Sequence, residues 1–267
     1  MLSKIDILGV RIDDVAMNEA IARVEVMLAD DKKHQIVTPN PEFAMLAQKD
    51  EAFRQILNEA DLAIPDGIGI LAAAKYLAMG ATSVPILREL QKIAQGFWVG
   101  FSLLFKGIGG ARERVTGTDL MLKLCERAAQ KGWRVFLLGG DVDVAQAAAK
   151  CLLAQFPSLR IAGTSSADPS SDFRLPTSDF LFVAYGAPKQ EKWIAKNLTK
   201  IPVKVAMGVG GAFDFITGKQ KRAPTFVQKL GLEWLWRLSR QPRRLPRIFT
   251  AFPKFPLAVA WRRLRMV

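Results

Sequence analysis

Asp66 stands in the run Ile-Pro-Asp-Gly-Ile-Gly-Ile (64–70), directly after an apolar strand-like segment and at the start of a helix-like one. A carboxylate there can act as a general base, taking a proton from an attacking hydroxyl. The same position suits a helix N-cap, a common use of Asp, and spacing leaves both readings open. Gly67 and Gly69 let other atoms approach the backbone closely. Thr38 and Asn40 flank Pro39, and Pro41 follows. Two prolines fix the backbone, so the two polar side chains point in set directions. Their donors and acceptors fit a sugar-binding corner, and a plain loop ending in an Asn cap fits as well. Gly139 and Gly140 close the run RVFLLGG before a helix. Backbone N–H groups at that helix start can receive a phosphate or a nucleotide. Asp141 and Asp143 then spell DxD, associated with metal-dependent sugar-nucleotide enzymes. Here the two acids open a helix, where they favour its positive end, and no metal site is expected. The run Gly186-Ala-Pro-Lys189-Gln190-Glu191 is denser in polar information. Gln190 suits a sugar, and Lys189 or Glu191 suits a nucleotide; a solvated helix start accounts for the same residues. Arg222, Arg237, Arg243 and Arg244 carry guanidinium forks that match diphosphate oxygens and can stabilise a departing nucleoside diphosphate. Attraction to anionic lipid is the other use of such arginines, and different ones can do each.

The elements that must position these residues alternate. Strand-like pieces are 5–12, 35–38, 62–64, 134–138, 160–162, 180–185 and 203–209. Helix-like runs lie between them at 16–28, 41–48, 51–58, 68–77, 118–130, 142–155 and 189–197. The alternation predicts an α/β fold, a mostly parallel, Rossmann-like sheet flanked by helices. Ligands of such sheets sit outside the carboxyl ends of the strands, and the polar loops named above all follow strands. Two segments break the rhythm: an apolar helical insertion at about 79–113 and a tail from about 219. The expected division is a catalytic domain over 1–218 and a helical appendage over 219–267. Pro224 suits the first turn of a helix running through Leu238; Pro242 and Pro246 break it, and Pro253 and Pro256 divide the final segment.

The tail holds nearly all of the charge. Residues 221–267 carry 12 Lys/Arg and one acid, Glu233, while the whole chain of 267 residues is +13. The body is therefore close to neutral. Seven large aromatic side chains are interleaved with the tail's cations. Cations mixed with apolar rings fit an anionic membrane surface better than DNA, and no nucleic-acid motif accompanies them. The greasiest stretch, 93–109, is interrupted by Lys106 and falls short of the ~20 apolar residues that a span needs. Residues 96–108 are expected to make a second membrane contact; a subunit contact in a homo-oligomer fits the same surface. Met1–Val10 has an acid early, Asp6, and no apolar core of a signal peptide, so the expected place is the cytoplasm, peripheral on the inner face of the cell membrane. His34 is the only histidine, which excludes a Ser-His-Asp triad elsewhere and a His-rich metal cluster. Cys125 and Cys151 are expected to be buried, reduced thiols.

Seven segments together resemble the WecG/TagA/CpsF glycosyltransferases, glycosyltransferase family 26. They are VTPNPEF (37–43), ADLAIPDGIGI (60–70), RVTGTDL (114–120), VFLLGG (135–140), YGAPKQEKWI (185–194), GVGGAFDFITGKQKRAP (208–224) and GLEWLWRL (231–238). They run in family order across most of the chain. The resemblance implies inverting transfer of a sugar, N-acetylmannosamine in the best-known branch, from a UDP-sugar to a polyprenyl-diphosphate-linked GlcNAc. It implies Asp66 as the base, Thr38, Asn40, Arg114 and Gln190 as pocket residues, no cofactor and no obligatory metal. Arg222, Arg237, Arg243 and Arg244 match the family's basic appendage. The donor is expected around Gly139, Gly140 and Gly186–Glu191. Two alternatives remain: another UDP-sugar donor (glucose, glucuronate or N-acetylmannosaminuronate), or a noncatalytic membrane-bound scaffold that binds a nucleotide sugar.

Overall fold

The computed structural model describes residues 4–105, 115–168, 174–221, 223–224, 227, 233–240 and 245–265. Arg114, Arg222, Arg243 and Arg244 lie outside the described residues, as does the side chain of Arg237.

An antiparallel hairpin, β1 (Lys4–Ile7) and β2 (Val10–Asp13), precedes the main sheet. The single strand expected over 5–12 is thus two strands. Leu8 and Gly9 turn the chain with positive φ at both residues, 54° and 81°, as two-residue hairpins require. Asp6 accepts a hydrogen bond from the Gly9 N–H at 2.8 Å. A leucine at the first turn position conceals this turn, because Asn, Asp or Gly is the usual signal there.

The main sheet has six parallel strands: β3 (His34–Val37), β4 (Leu62–Ala63), β5 (Arg134–Gly139), β6 (Arg160–Ser165), β7 (Ser178–Ala184) and β8 (Val203–Gly208). Their spatial order is β4-β3-β8-β7-β5-β6. The described helices of the body are α1 (Met17–Ala29), α2 (Pro41–Ala47), α3 (Glu51–Glu59), α4 (Ile68–Ala78), α5 (Pro85–Phe105), α6 (Gly117–Lys131), α7 (Val144–Gln155), α8 (Lys189–Asn197) and α9 (Ala212–Ile216). Near-continuous apolar runs in β5 and β7 are what a parallel sheet covered on both faces needs. Val135, Leu137, Phe180 and Phe182 pack into one core with α1, α6 and α7. Their alternates Phe136, Leu138, Leu181 and Val183 pack into another with α8. A third core joins the hairpin to α2, α3 and α4. Fully buried Asp13 accepts the Ala63 N–H at 2.8 Å and so ties the hairpin to β4.

Much of the expected insertion is the 21-residue helix α5. No helix among the described residues is long and apolar enough to cross a membrane. The tail contributes short helices at Glu233–Arg240 and Leu245–Phe249, then a wide turn at Thr250–Lys254, kinked at Phe252 before Pro253. A last helix, Phe255–Leu264, follows. Pro246 and Pro256 lie in the first turns of helices, where a missing N–H costs nothing, so they start helices and do not break them. Phe255 and Val259 are buried in the third core, so the tail's end is packed on the body. Some tail cations secure that packing: Arg247 pairs with Glu42 at 2.8 Å, Arg262 with Asp6 at 2.8 Å, and Arg263 donates to the Met79 carbonyl at 2.6 Å. Cys125 is buried, which pushes its thiol up to about 12. Cys151 is exposed on α7, against expectation.

Candidate active site

The chain leaves β5 for β6 on one side and then crosses to β7 on the other. A crevice opens at such a switch point, outside the carboxyl ends of the strands. The loops at this crevice carry Gly139, Gly140 and Gly186, with φ of 92°, 83° and 74°. A Cβ at Gly139 would stand 2.8 Å from the Tyr185 ring, so only glycine permits this turn. A Cβ at Gly186 would meet nothing within 4 Å: that backbone faces open space.

A second reversal lies at β3, which has β4 on one side and β8 on the other. Its loops carry the other candidates. Thr38 is buried just beyond β3. Its side chain lies against Gly117, at the start of α6, where a Cβ would come within 3.2 Å of it. Thr116 caps α6, accepting the Asp119 N–H at 3.1 Å. The RVTG segment is thereby set beside Thr38, with Arg114 just before the described part. Asn40 caps α2, its Oδ1 accepting the Phe43 N–H at 3.0 Å. The plain cap reading is therefore realised by that oxygen, and the amide NH₂ is the group left to meet a ligand. Asp66 is half-buried, and its N–H donates to the Pro39 carbonyl at 3.0 Å. It is not a cap: Gly67, with φ of 93°, holds the N-cap position of α4. A Cβ at Gly69 would strike Pro41 at 2.7 Å, so glycine allows α4 to close on the start of α2. The carboxylate loop and the Thr-Pro-Asn loop are thus locked together.

Between the two groups lies the Gln190–Glu191 pair. Gln190 is buried, and its Oε1 accepts the N–H groups of both Gly186 and Gly210 at 3.0 Å. Its Nε2 donates to Glu191 Oε1 at 2.7 Å. Gln190 therefore ties the loops after β7 and β8 to each other. Glu191 is fully buried below those loops, and burial pushes its carboxyl up to about 7, although the Gln190 hydrogen bond pulls the other way. Lys189, one residue earlier, is exposed. At the mouth of the crevice Asp141 pairs with Lys219 at 2.6 Å, which lowers its carboxyl below the usual range. No group of three His, Cys, Asp or Glu placed to hold a metal occurs among the described residues.

The structure thus assembles Thr38, Asn40 and Asp66 at one end and Gly139, Gly140 and Gly186 at the other, with Gln190 bracing the space between. Sequence reasoning missed Tyr185, Gly210, Asp214 and Lys219. Gln220 donates to Asp214 at 3.0 Å, and its neighbour Lys219 reaches Asp141, so the loop after α9 borders the crevice. The density of the motif at 208–224 was the available signal; only Arg222 was drawn from it.

From β4 to β5 is four strand spacings, about 19 Å. That distance separates the Asp66 loop from the glycine loop after β5. Fold and site together define an α/β group-transfer enzyme. The sequence narrows this: the chain belongs to the Glycosyl transferase WecG/TagA/CpsF family, which matches residues 5–89 and 93–267. It is similar to the N-acetylglucosaminyldiphosphoundecaprenol N-acetyl-beta-D-mannosaminyltransferase of Bacillus spizizenii (strain ATCC 23059 / NRRL B-14472 / W23). The two are 31% identical over 253 residues, 92% of this chain and 86% of the relative. The enzyme of the same name from Staphylococcus aureus (strain MRSA252) is 29% identical over 266 residues, 97% of this chain and 92% of the relative.

Proposed function

We propose that this chain transfers N-acetylmannosamine from its UDP derivative to a polyprenyl-diphosphate-linked GlcNAc, with inversion and without an obligatory metal, in the synthesis of a cell-surface polysaccharide or teichoic acid. The observation that carries the reading is the Asp66 loop, bonded to Pro39 beside Thr38 and Asn40 at one end of a long glycine-lined crevice. The relatives' printed activity supplies the two sugars and the lipid.

In this reading the nucleotide lies along Gly139, Gly140 and Gly186, where backbone can approach phosphates closely, with Lys189 at the exposed rim. Gln190 acts as a positioning residue that holds the loops, and its buried neighbour Glu191 supports it. Thr38, Asn40 and Arg114 orient the sugars. Asp66 takes the proton of the acceptor hydroxyl as that oxygen bonds to the anomeric carbon. The bond from that carbon to the β-phosphate oxygen breaks, and UDP leaves with the electron pair. An α-linked donor then gives the β product that the relatives' name specifies. Arg222, Arg237, Arg243 and Arg244 neutralise the leaving diphosphate, with the tail closing over the site at the membrane. The 219–267 appendage serves as a basic, aromatic anchor packed on the 1–218 catalytic body, and the enzyme works peripherally on the inner face of the cell membrane.

The test is UDP release from a panel of UDP-sugars with a lipid-diphosphate-GlcNAc acceptor and EDTA present. Acceptor-dependent release with UDP-N-acetylmannosamine is expected, falling roughly a hundredfold or more in Asp66→Asn. Release that vanishes with EDTA, or an unimpaired Asp66→Asn, would overturn the mechanism.

A further inference from the structure

Helix α5 is amphipathic in the wrong sense for a soluble protein. Its polar side is turned inward. Lys92 is buried and paired with Glu89 at 3.1 Å, and its carbonyl accepts the Tyr76 hydroxyl at 3.0 Å. Gln95 donates to the Gly80 carbonyl at 2.9 Å and accepts from Arg263, whose guanidinium lies 4.1 Å over the Tyr76 ring. The outward side carries Ile86, Leu87, Leu90, Ile93, Phe97 and Trp98, with Ile86 and Phe97 each 77% exposed. Their spacing is helical and places them on one face about 18 Å long at 1.5 Å per residue. No acid or base falls on that arc between Ile86 and Trp98. Exposed apolar side chains in a contiguous row mark a surface that meets something.

The neighbouring surface favours one occupant. The last helix, Phe255–Leu264, lies against α5 and adds outward Leu257 and Trp261, 65% and 60% exposed. Arg265 stacks on Trp261 at 4.6 Å, a cation beside an outward ring. The apolar face therefore continues into the segment that carries the chain's basic charge. Apolar rings rimmed by guanidinium groups match an anionic bilayer interface. A second copy of the chain also carries +13, so like charge opposes its approach.

We infer that the outward face of α5 is a membrane-docking surface, which lies in the headgroup–acyl boundary of an anionic bilayer alongside the last helix. This rests on the lipid-linked acceptor reading for its purpose, but its test does not. The two contacts divide the work: the basic tail supplies salt-sensitive attraction, and α5 supplies apolar insertion that salt leaves intact. The inserted helix fixes the height and tilt of the body above the lipid.

The experiment is flotation of the full chain with phosphatidylglycerol–phosphatidylethanolamine vesicles, at low and high salt, for wild type and Ile93→Glu/Phe97→Glu. Wild type is expected to stay bound at high salt, and the variant to lose roughly a hundredfold in partitioning there. UDP release with a water-soluble acceptor should survive in the variant. Unchanged high-salt flotation of a folded variant would overturn the inference. So would a wild type that is oligomeric and a variant that is monomeric with equal flotation, which assigns the face to a second copy. Should the variant misfold, quenching by acyl-brominated lipid decides: wild type should lose a fluorescence component that Trp98→Phe lacks, and equal quenching would overturn the proposal. A wild type that floats and inserts Trp98 but releases no UDP would sink the transferase reading alone.

Discussion

The two ends of the parallel sheet are built differently. At the amino end several polar side chains are bonded to backbone groups. Asp61 accepts the Gln35 N–H at 2.9 Å and faces His34 Nδ1 at 3.1 Å. Asp179 accepts the Arg134 N–H at 2.7 Å, and Lys204 donates to the Leu28 carbonyl at 2.8 Å. At the carboxyl end the backbone bends through left-handed glycines, and Gly186 and Gly210 face open space. Beneath them Glu191 is buried, with Oε2 unpartnered among the described residues. Folding needs satisfied polar groups at both ends equally. The open glycine backbone of the carboxyl end is what sets it apart, and it is where the ligand is proposed to lie.

Glu191 tests the contrast most strongly. Burial holds its carboxyl at about 7 in the folded chain, above the ordinary 4.5, so folding favours the protonated form. The resulting penalty is absent below the unfolded pKa, grows as pH rises toward 7 and is complete above it. Glu191→Gln should match wild-type stability near pH 4.5 and exceed it at alkaline pH, by no more than about 3 kcal/mol. Urea melts across pH would read this, and parallel curves would refute a strained carboxyl. Gly208→Ala comes next. Its Cβ would stand 2.5 Å from Gln190 Nε2 and 2.7 Å from Glu191 Oε1. Gln190 is held by two backbone N–H groups, so it can yield only by releasing a loop. A loss of about 2 kcal/mol is expected, with a raised donor KM. A cost in stability with an unaltered KM would show that Gln190 braces the fold and not the crevice.

The sheet and most helices were legible because strands and helices announce themselves by period and by their caps. Asn40 and Thr116 cap α2 and α6 with side chains the sequence displays plainly. The Leu8-Gly9 turn was hidden by a leucine in a left-handed conformation. Asp66 was legible as a candidate, but only the structure separates it from a cap by placing Gly67 there. Gln190 read as a ligand group, since nothing in sequence shows that Gly186 and Gly210 share its oxygen. The direction of α5 was out of reach: its hydrophobicity is obvious, but which side faces out depends on Tyr76 and Arg263, which lie far away in sequence.

The smallest test belongs to the amino end. His34 is set between Asp30 at 2.9 Å and Asp61 at 3.1 Å. Burial alone lowers its pKa, but the hydrogen bonds to Asp30 and Asp61 outweigh that and leave it raised above 6.5. A raised histidine stabilises the fold fully below the unfolded pKa of 6.5, and the contribution is lost as pH rises through the folded value. Both aspartates are partly solvated, so the cluster contributes little. Wild type should therefore lose a little stability between mildly acidic and alkaline pH that His34→Gln never had. UDP release at fixed pH should be the same in both, because the cluster sits a full strand length from Thr38. If His34→Gln lowered turnover without moving the melt, the amino end would be coupled to the crevice, and the division between a structural end and a working end would fail.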